Sequence, residues 1–359
     1  MRQNEKCLEV VVVTGASAGV GRAIVREFAK HGASIGLLAR SHDGLEAARR
    51  EVEEAGCRAL AVPTDMSDPQ QVEDAADTVT RELGPIDVWV NVAMVTVISP
   101  AVEMTPEDYQ RVTNVSYLGY VYGTLAAVRR MKERNKGKII QVGSALAYRS
   151  IPLQSAYCGA KHAIQGFTDS LRSELIHDGS HIDITTLQLP AVNTPQFTWV
   201  KSRMPHHPQP VPPIYQPEVI ARAAYWAAHH RRRELWIGFS AVKAIIAQKL
   251  MPGFADRYLA WTGYSAQQTD QPVDPHRPNN LYEPLSGDFG AHGEFDSQSR
   301  SFSLQSWLNM RRNWISLAGL GVVAGYMCYA KAQSKKARRR LGSARPSRLT
   351  TPQFRGESS

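Results

Sequence analysis

The sequence GSALAYRSIPLQSAYCGAK, residues 143–161, brings together three polar side chains, Ser144, Tyr157 and Lys161. Because Tyr157 and Lys161 are four residues apart, they would lie on one face of a helix, one turn from each other. A lysine ammonium favours the phenolate form of a neighbouring tyrosine, which predicts a pKa for Tyr157 below the usual value of about 10. The stretch therefore predicts a proton donor, with a serine hydroxyl placed to hold a carbonyl oxygen.

The segments on both sides of this stretch alternate between short apolar runs and amphipathic helices. Residues 8–14 form a β-branched run typical of a buried parallel strand, and residues 20–32 form a helix that ends at a glycine. The alternation predicts an α/β fold with a doubly wound, Rossmann-type parallel sheet, in a single catalytic domain over residues 1–255. This context favours a catalytic role for Tyr-x-x-x-Lys over an ordinary helix face.

A glycine-rich turn joins the first strand to the first helix. Its central residues are Gly15, Ser17, Gly19, Val20 and Gly21. Glycines let the backbone turn sharply and approach a diphosphate, and the helix N-terminus offers N–H groups with partial positive charge. The spacing is G-x-x-x-G-x-G, which differs from the G-x-G-x-x-G of other dinucleotide folds. The turn predicts a site for the diphosphate of a dinucleotide.

The turn and the three polar residues together resemble the classical short-chain dehydrogenase/reductase (SDR) family. The resemblance implies a catalytic tetrad of Asn114, Ser144, Tyr157 and Lys161. In such a tetrad the asparagine interrupts a long helix and holds a water in a proton relay through the lysine. The resemblance also implies cofactor contacts: Asp65 with the adenine, Thr194 with the nicotinamide carboxamide, and further contacts from Asn91, Ala93, Tyr157 and Lys161.

Two positions depart from the pattern of this family. The chain reads Asn91-Val92-Ala93-Met94 where the family usually has Asn-Asn-Ala-Gly, so that Met94 replaces a glycine at the edge of the cofactor. The segment before Thr194 has Ala191 where the family usually has glycine.

The end of the second strand bears on the choice of cofactor. An acid at this point would bind the adenosine ribose, whereas an arginine would accommodate a 2′-phosphate. The chain has Arg40 there, with Ser17 as an expected neighbour, and no acid at the strand tip. We therefore expect NADP(H) to be preferred, with NAD possible. The alternative is that Arg40 only caps the edge of the sheet.

The implied reaction interconverts a carbonyl and an alcohol by hydride transfer. Tyr157 would act as general acid or base and Ser144 would bind the substrate oxygen, while Lys161 would lower the pKa of Tyr157 and bind the nicotinamide ribose. The direction of the reaction stays open. A proline-rich, apolar loop over residues 195–215 indicates a small-molecule substrate that is lipophilic, as do Met94, Leu146, Tyr148 and Leu153. No metal site is expected, since His206 and His207 are adjacent loop residues.

The formal net charge of +9 lies almost entirely in the C-terminal tail. After Ala330 there are nine basic residues and one acid, Glu357. The remainder of the chain is nearly neutral, which argues against a nucleic-acid-binding catalytic domain.

The four cysteines are scattered and are expected to be reduced thiols.

The C-terminal third predicts attachment to a membrane. Residues 256–306 are rich in Pro, Gly, Asp and Asn and predict an extended polar arm. Residues 307–331 predict a membrane helix, because residues 314–330 are 17 consecutive residues without a charge. Residues 332–359 would form a disordered basic tail on anionic lipid. Whether the helix spans the bilayer or lies on it stays open, and the catalytic domain is expected to face the cytoplasm.

Two further expectations concern partners and an alternative function. The resemblance implies that the helices around Asn114 and over residues 156–176 pair across a two-fold axis, giving a homodimer or homotetramer. The alternative to an enzyme is a non-catalytic NADP-binding sensor or scaffold at a membrane. The presence of all four tetrad residues favours the enzyme.

Overall fold

The protein is described by a computed structural model over residues 9–274, 276–312, 325–327, 329 and 331. Within these residues the main sheet has seven parallel strands in the order β3-β2-β1-β4-β5-β6-β7. The strands are β1 (Val10–Thr14), β2 (Ser34–Ala39), β3 (Ala59–Pro63), β4 (Val88–Asn91), β5 (Gly137–Val142), β6 (Ile182–Gln188) and β7 (Glu234–Trp236). The α/β fold with a doubly wound parallel sheet is as predicted.

Helices cover both faces of this sheet. The helices of the described residues are α1 (Gly19–Lys30), α2 (His42–Glu54), α3 (Pro69–Leu83), α4 (Pro106–Thr113), α5 (Gly119–Arg134), α6 (Ser155–His177), α7 (Gln196–Trp199), α8 (Pro217–Ala228), α9 (Phe239–Leu250) and α10 (Pro252–Thr262). Several begin at side-chain caps that accept from free backbone N–H groups: Ser41 caps α2, Asp68 caps α3, and Thr105 forms a capping box with Asp108 on α4.

The core has two parts, one on each face of the sheet. On one face the strands pack against α1, α2 and α8, and on the other against α3, α5 and α6. Every residue of β1 is buried, in agreement with its β-branched sequence. β1 and β4 are neighbours, and the chain winds outward from them in both directions. In such a sheet the crevice for a ligand lies beyond the carboxyl ends of these central strands.

The segment after β7 remains in the same compact unit as the sheet as far as Met310. The predicted domain boundary at residue 255 falls inside α10. Residues 256–306 were expected to be an extended polar arm. They form no core of their own, and they bury Leu281, Ala291 and Phe295 against the sheet domain. Short strands tie them down, since Ser299–Arg300 pairs with Ile214–Tyr215 and Gln268–Pro272 pairs with His206–Pro208.

The predicted membrane helix lies largely outside the described residues, since residues 313–324, 328 and 330 are not among them. In the described part of the chain, no helix has the length and apolar character needed to cross a bilayer. The tail over residues 332–359 also lies outside the described residues. Both assignments therefore stay predictions.

Candidate active site

Helix α6 carries the tyrosine and the lysine as the spacing predicts. It begins at Ser155, so that Tyr157 and Lys161 fall in its first two turns. The Lys161 ammonium is buried and donates to the hydroxyl of Tyr120 (3.0 Å) and to the carbonyl of Val142 (2.8 Å). It lies 5.5 Å from the centre of the Tyr157 ring. Burial lowers the pKa of Lys161 to about 7.

The expected lowering of the pKa of Tyr157 is not what the structure gives. Burial raises the pKa of Tyr157 above its ordinary value, and a hydrogen bond with Ser144 offsets only part of this rise. The charge of Lys161 does not offset this rise. Its ammonium donates to Tyr120 and Val142, and burial lowers its own pKa, so that the lysine is only partly charged at neutral pH. In this arrangement Tyr157 is a neutral phenol, the form that can donate a proton.

Ser144 follows β5 directly and is buried at the carboxyl end of the sheet. Its backbone N–H donates to the side-chain oxygen of Gln188 on β6 (2.9 Å). Its hydroxyl accepts from the backbone N–H of Leu146 (3.1 Å). The first bond holds the backbone and the second orients the hydroxyl, which also hydrogen-bonds with Tyr157.

Asn114 marks a local break in a long helix. A π-helical turn, Asn114–Leu118, separates α4 from α5. Such turns are frequent at functional sites. The predicted interruption of the helix is therefore present, and the role of Asn114 in a water relay stays a prediction.

The glycine-rich turn is packed so closely that side chains would not fit. A Cβ on Gly21 would lie 2.1 Å from the carbonyl oxygen of Gly15. A Cβ on Gly15, where φ is +66°, would lie 2.9 Å from the Cα of Ala93. The hydroxyl of Thr14 accepts from the backbone N–H groups of Val92 and Ala93, which ties the turn to the end of β4. The result is a backbone cradle without side chains at the N-terminus of α1, of the kind that suits a diphosphate. One of its donors, the backbone N–H of Gly19, bonds to the carbonyl of Gly290 (2.9 Å).

A single cavity of about 920 Å³ connects this cradle to the tyrosine and lysine. Its wall includes most of the predicted site residues, namely Gly15, Ser17, Gly19, Val20, Gly21, Arg40, Asp65, Ala93, Ser144, Tyr157, Lys161 and Thr194. The glycine cradle at one end and a proton donor at the other fit an elongated dinucleotide with its reactive end near Tyr157.

Asn91 is the predicted cofactor residue that the structure places elsewhere. Its buried side chain accepts from Trp89 Nε1 (2.8 Å) and donates to Thr124 and Gln141 (3.0 Å each). It is not part of the cavity wall, which is formed at this point by the following residues, from Val92 to Thr96. Asn91 therefore supports the floor of the site through this network.

Two arginines approach each other at the far end of the cavity. Burial lowers the pKa of Arg40, and the neighbouring Arg111 cation on α4 lowers it further. Arg111 donates to the carboxylate of Asp65 (2.7 Å). Although burial alone would raise the pKa of Asp65, hydrogen bonds from Arg111 and Ser67 hold it below the usual value. The ionised Asp65 and the neighbouring Glu283 carboxylate both favour the charged form of Arg40 and offset part of the repulsion from Arg111.

Sequence reasoning missed Arg111 and Tyr120. Tyr120 is fully buried, donates to the carbonyl of Val142 (2.9 Å) and accepts from Lys161. The only sequence signal for Arg111 was its position three residues before Asn114.

The sequence model of the short chain dehydrogenase family matches residues 9–204. The chain is a short-chain dehydrogenase. It is 32% identical over 331 residues to an uncharacterized oxidoreductase, YxnA, of Bacillus subtilis, an alignment that covers 90% of each chain. It is 32% identical over 220 residues to a 3-dehydrosphinganine reductase of Danio rerio, which covers 59% of this chain and 66% of the relative.

Solved structures agree with the fold of this short-chain dehydrogenase. An alcohol dehydrogenase from Thermococcus sibiricus, complexed with 5-hydroxy-NADP, has a TM-score of 0.53 and 25% identity, covering 64% of this chain and 95% of that one. A short chain dehydrogenase from Mycobacterium paratuberculosis bound to NAD has a TM-score of 0.56 and 23% identity, covering 64% and 96%. The resemblance to the SDR family and its oxidoreductases is confirmed. NAD and NADP forms both occur among these structures, so the likeness alone does not choose the cofactor.

The lining of the cavity is more apolar than polar in this short-chain dehydrogenase. Of the predicted substrate residues, Met94 and Leu146 line the cavity, together with Phe197 and Trp199 of the loop. Tyr148 and Leu153 do not form part of its wall, because the hydroxyl of Tyr148 donates to Glu234 and Leu153 packs against Ile98 and Val200.

Proposed function

We propose that this protein is an NADP(H)-dependent oxidoreductase that interconverts a carbonyl and an alcohol on a lipophilic substrate. The observation that carries the proposal is the single cavity that joins the glycine cradle to Ser144, Tyr157 and Lys161. Membership of the oxidoreductase family sets the reaction class, and these residues set the chemistry at the substrate oxygen.

Reduced nicotinamide, when bound, supplies the hydride that the carbonyl carbon receives. Tyr157 donates its phenolic proton to the carbonyl oxygen, because the raised pKa keeps it protonated at neutral pH. Ser144 donates a hydrogen bond to the same oxygen and stabilises the charge that develops there. Lys161, 5.5 Å from the ring, then faces a phenolate, and its positive charge stabilises that form. In the oxidative direction Tyr157 accepts the proton.

The preference for NADP(H) rests on the pair Arg40 and Arg111. The Arg111 cation disfavours the charge of Arg40, and a 2′-phosphate beside Arg40 would offset that repulsion. A ribose hydroxyl of NAD brings no negative charge to the same place. The second basic group thus comes from α4, since Ala18 of the glycine-rich turn has no charge to contribute.

The lipophilic character of the substrate is supported by the cavity wall and by the relatives. Aromatic and aliphatic side chains of the loop close the cavity near Tyr157. Two of the relatives are named as reductases of 3-dehydrosphinganine or 3-ketodihydrosphingosine. A ketone next to a long aliphatic chain is therefore the substrate class that we would test first.

Membrane attachment through residues 307–340, with the catalytic domain facing the cytoplasm, is part of the proposal. It is supported by the uncharged run over residues 314–330. A second support is the outer face of α9 and α10, where large apolar side chains are exposed, among them Leu250 (72%), Phe254 (62%) and Trp261 (79%). The same helices line the cavity through Ala247, Ala255 and Leu259, so that a lipid could reach the site from a bilayer surface.

Membrane attachment can be tested by truncation after Met310, where the compact unit ends. This point retains Ser306, whose hydroxyl accepts from the backbone N–H of Gly238 (3.1 Å). We expect the full chain to sediment with membranes and the truncated chain to keep its activity while binding them more weakly. Full-length protein that stays in the supernatant without detergent would show that the anchor is absent.

A homodimer or homotetramer, built through α5 and α6 across a two-fold axis, completes the proposal. Light scattering on the truncated protein measures this assembly. A monomeric mass would exclude it.

The alternative is a non-catalytic NADP-binding sensor or scaffold at a membrane. Turnover separates the two functions. Purified protein is incubated with NADPH and a panel of aliphatic ketones of increasing chain length, and the loss of absorbance at the nicotinamide band is followed. We expect oxidation that rises with chain length, and Tyr157→Phe serves as the inactive control. NADPH binding without turnover of any ketone would favour the sensor.

A further inference from the structure

Residues 277–296, called the strap below, form part of the cavity wall and contact the end of the site where Arg40 lies. Three consecutive backbone carbonyls accept from the two arginines described above. Arg40 donates to the carbonyls of Asn280 (2.6 Å) and Tyr282 (2.5 Å), and Arg111 donates to the carbonyl of Leu281 (3.0 Å). The bonds of Arg40 use two of the five N–H groups of a guanidinium, which leaves donors for a phosphate.

The middle of the strap lies on the glycine-rich turn itself. The carbonyl of Gly290 accepts from the backbone N–H of Gly19 (2.9 Å). Asp288 lies 3.4 Å from the buried guanidinium of Arg22, and the backbone N–H of Gly287 donates to the carboxylate of Asp43 (2.8 Å). The strap also forms part of the cavity wall, through Asn280, Pro284, Leu285, Gly287 and Phe289.

The same strap is fastened to the substrate loop. Arg277 donates to the carbonyls of Thr198 (2.6 Å) and Val200 (2.8 Å). The backbone N–H of Asn280 donates to the carbonyl of Trp199 (3.1 Å). Phe289 packs edge-on against the Trp199 ring, with the ring centres 4.6 Å apart. One segment therefore contacts both the adenosine end of the cavity and the loop that covers the substrate end.

We infer that the strap is the outer wall of the dinucleotide site and retains the bound cofactor. Because it lies against both the cradle and Arg40, a dinucleotide in the cavity is enclosed, and the strap has to move away before the cofactor leaves. Leu281, Ala291 and Phe295 are buried and hold the two ends of the strap. Residues 282–290 between them are exposed or half-buried and are held by polar contacts such as the hydrogen bond from Gly287 to Asp43, so this middle part can lift without disturbing the sheet. Displacement of the strap also releases its contacts with the substrate loop, so that release of the cofactor and opening of the loop are coupled.

The inference rests on the proposed dinucleotide site, and its test measures binding rather than turnover. Full-length protein in detergent is loaded with NADPH and mixed with excess NADP⁺, and the fall of NADPH fluorescence gives the dissociation rate constant. Asp43→Ala removes the acceptor for Gly287, whereas Asp43→Asn keeps an acceptor oxygen at the same place and serves as the matched control. Arg277→Ala loosens the strap at its other anchor, on the substrate loop.

We expect Asp43→Ala and Arg277→Ala to raise the dissociation rate constant by about tenfold, the factor that follows from loss of about 1.4 kcal/mol. Asp43→Asn should stay close to wild type. In addition, NADPH should slow amide hydrogen exchange in residues 280–290 of the wild type. Unchanged dissociation in both loosened variants, or strap amides that NADPH does not protect, would overturn the inference.

These outcomes are separate from those that test the proposed function. A protein that binds NADPH under a protected strap but turns over no ketone contradicts the catalytic proposal and supports the strap. A protein that reduces ketones, but whose strap amides NADPH does not protect from hydrogen exchange, supports the catalytic proposal and contradicts the strap.

Discussion

Replacing Tyr120 with phenylalanine tests the way in which Lys161 is held. The change removes one hydroxyl from a fully buried site and keeps the ring, so we expect the fold to be retained. It deletes an acceptor 3.0 Å from the Lys161 ammonium and leaves the carbonyl of Val142 as its remaining partner among the described contacts. A hydrogen bond to a charged group contributes about 1.5–3 kcal/mol, and one pKa unit corresponds to about 1.4 kcal/mol.

The expected pKa of Lys161 in Tyr120→Phe is therefore about one to two units below the wild-type value. Since that value is about 7, the charged fraction at neutral pH should fall from about half to about a tenth or less. In the proposed mechanism, the charged form of Lys161 stabilises the phenolate that carbonyl reduction leaves on Tyr157. The rate should therefore decline as pH rises through the pKa of Lys161, and in the variant that decline should begin at lower pH.

The assay is kcat/KM for the best ketone of the panel, measured from pH 5 to pH 9 at saturating NADPH. Tyr122→Phe is the matched control, because it removes a hydroxyl from the same helix at a side chain that packs against the core. We expect the control to keep the wild-type profile. A decline at the same pH in all three proteins would refute the role given to Tyr120, even if its replacement lowered the rate uniformly.

Three further changes test the other assignments. Tyr157→Phe should lower kcat by about 10²–10⁴-fold, since it removes the general acid, and calorimetry should show NADPH binding close to wild type; retention of more than about a tenth of kcat would contradict the assignment. Arg40→Asp should shift the ratio of kcat/KM values from NADPH towards NADH by at least about tenfold, because a charge-assisted contact with phosphate contributes about 1.5–3 kcal/mol. Lys161→Met tests burial of the lysine: its folded pKa, about 7, lies below its unfolded value, so wild-type stability should rise between pH 7 and pH 10. The variant should lose that rise in urea midpoints, and an equal rise in both proteins would contradict a buried lysine.

Features set by local spacing were predictable from the sequence. Tyr157 and Lys161 share a helix face because they are four residues apart, and the glycine-rich turn needs glycine because the backbone of Gly15 and Ala93 leaves no room for side chains. The strands and their parallel direction followed from the alternation of apolar runs and helices. These predictions depend on neighbours in the chain, which a sequence displays directly.

Features set by contacts between distant residues were not predictable. Lys161 and Tyr120 are 41 residues apart, and Arg111 and Asp65 are 46 residues apart. Nothing in the sequence around Tyr120 distinguishes it from an apolar core residue of α5. The error in the predicted pKa of Tyr157 has the same origin, because the partner of an ammonium depends on which oxygen lies nearest in three dimensions. The misplacement of Asn91 has the same origin, because its side chain hydrogen-bonds to Trp89, Thr124 and Gln141 and not to the cavity.

The strap shows most clearly why a polar segment can escape sequence reasoning. Its composition, rich in glycine, proline and aspartate, is that of a linker, and its contacts with Arg40, Arg111 and Gly19 are made by backbone carbonyls. Every residue type has such a carbonyl, so the sequence carries no mark of the contact. The side chains that do identify the strap are its anchors, Arg277, Asp288 and Phe289, whose partners all lie more than 75 residues away. A cofactor site completed by backbone from a distant segment is therefore found only once the chain is folded.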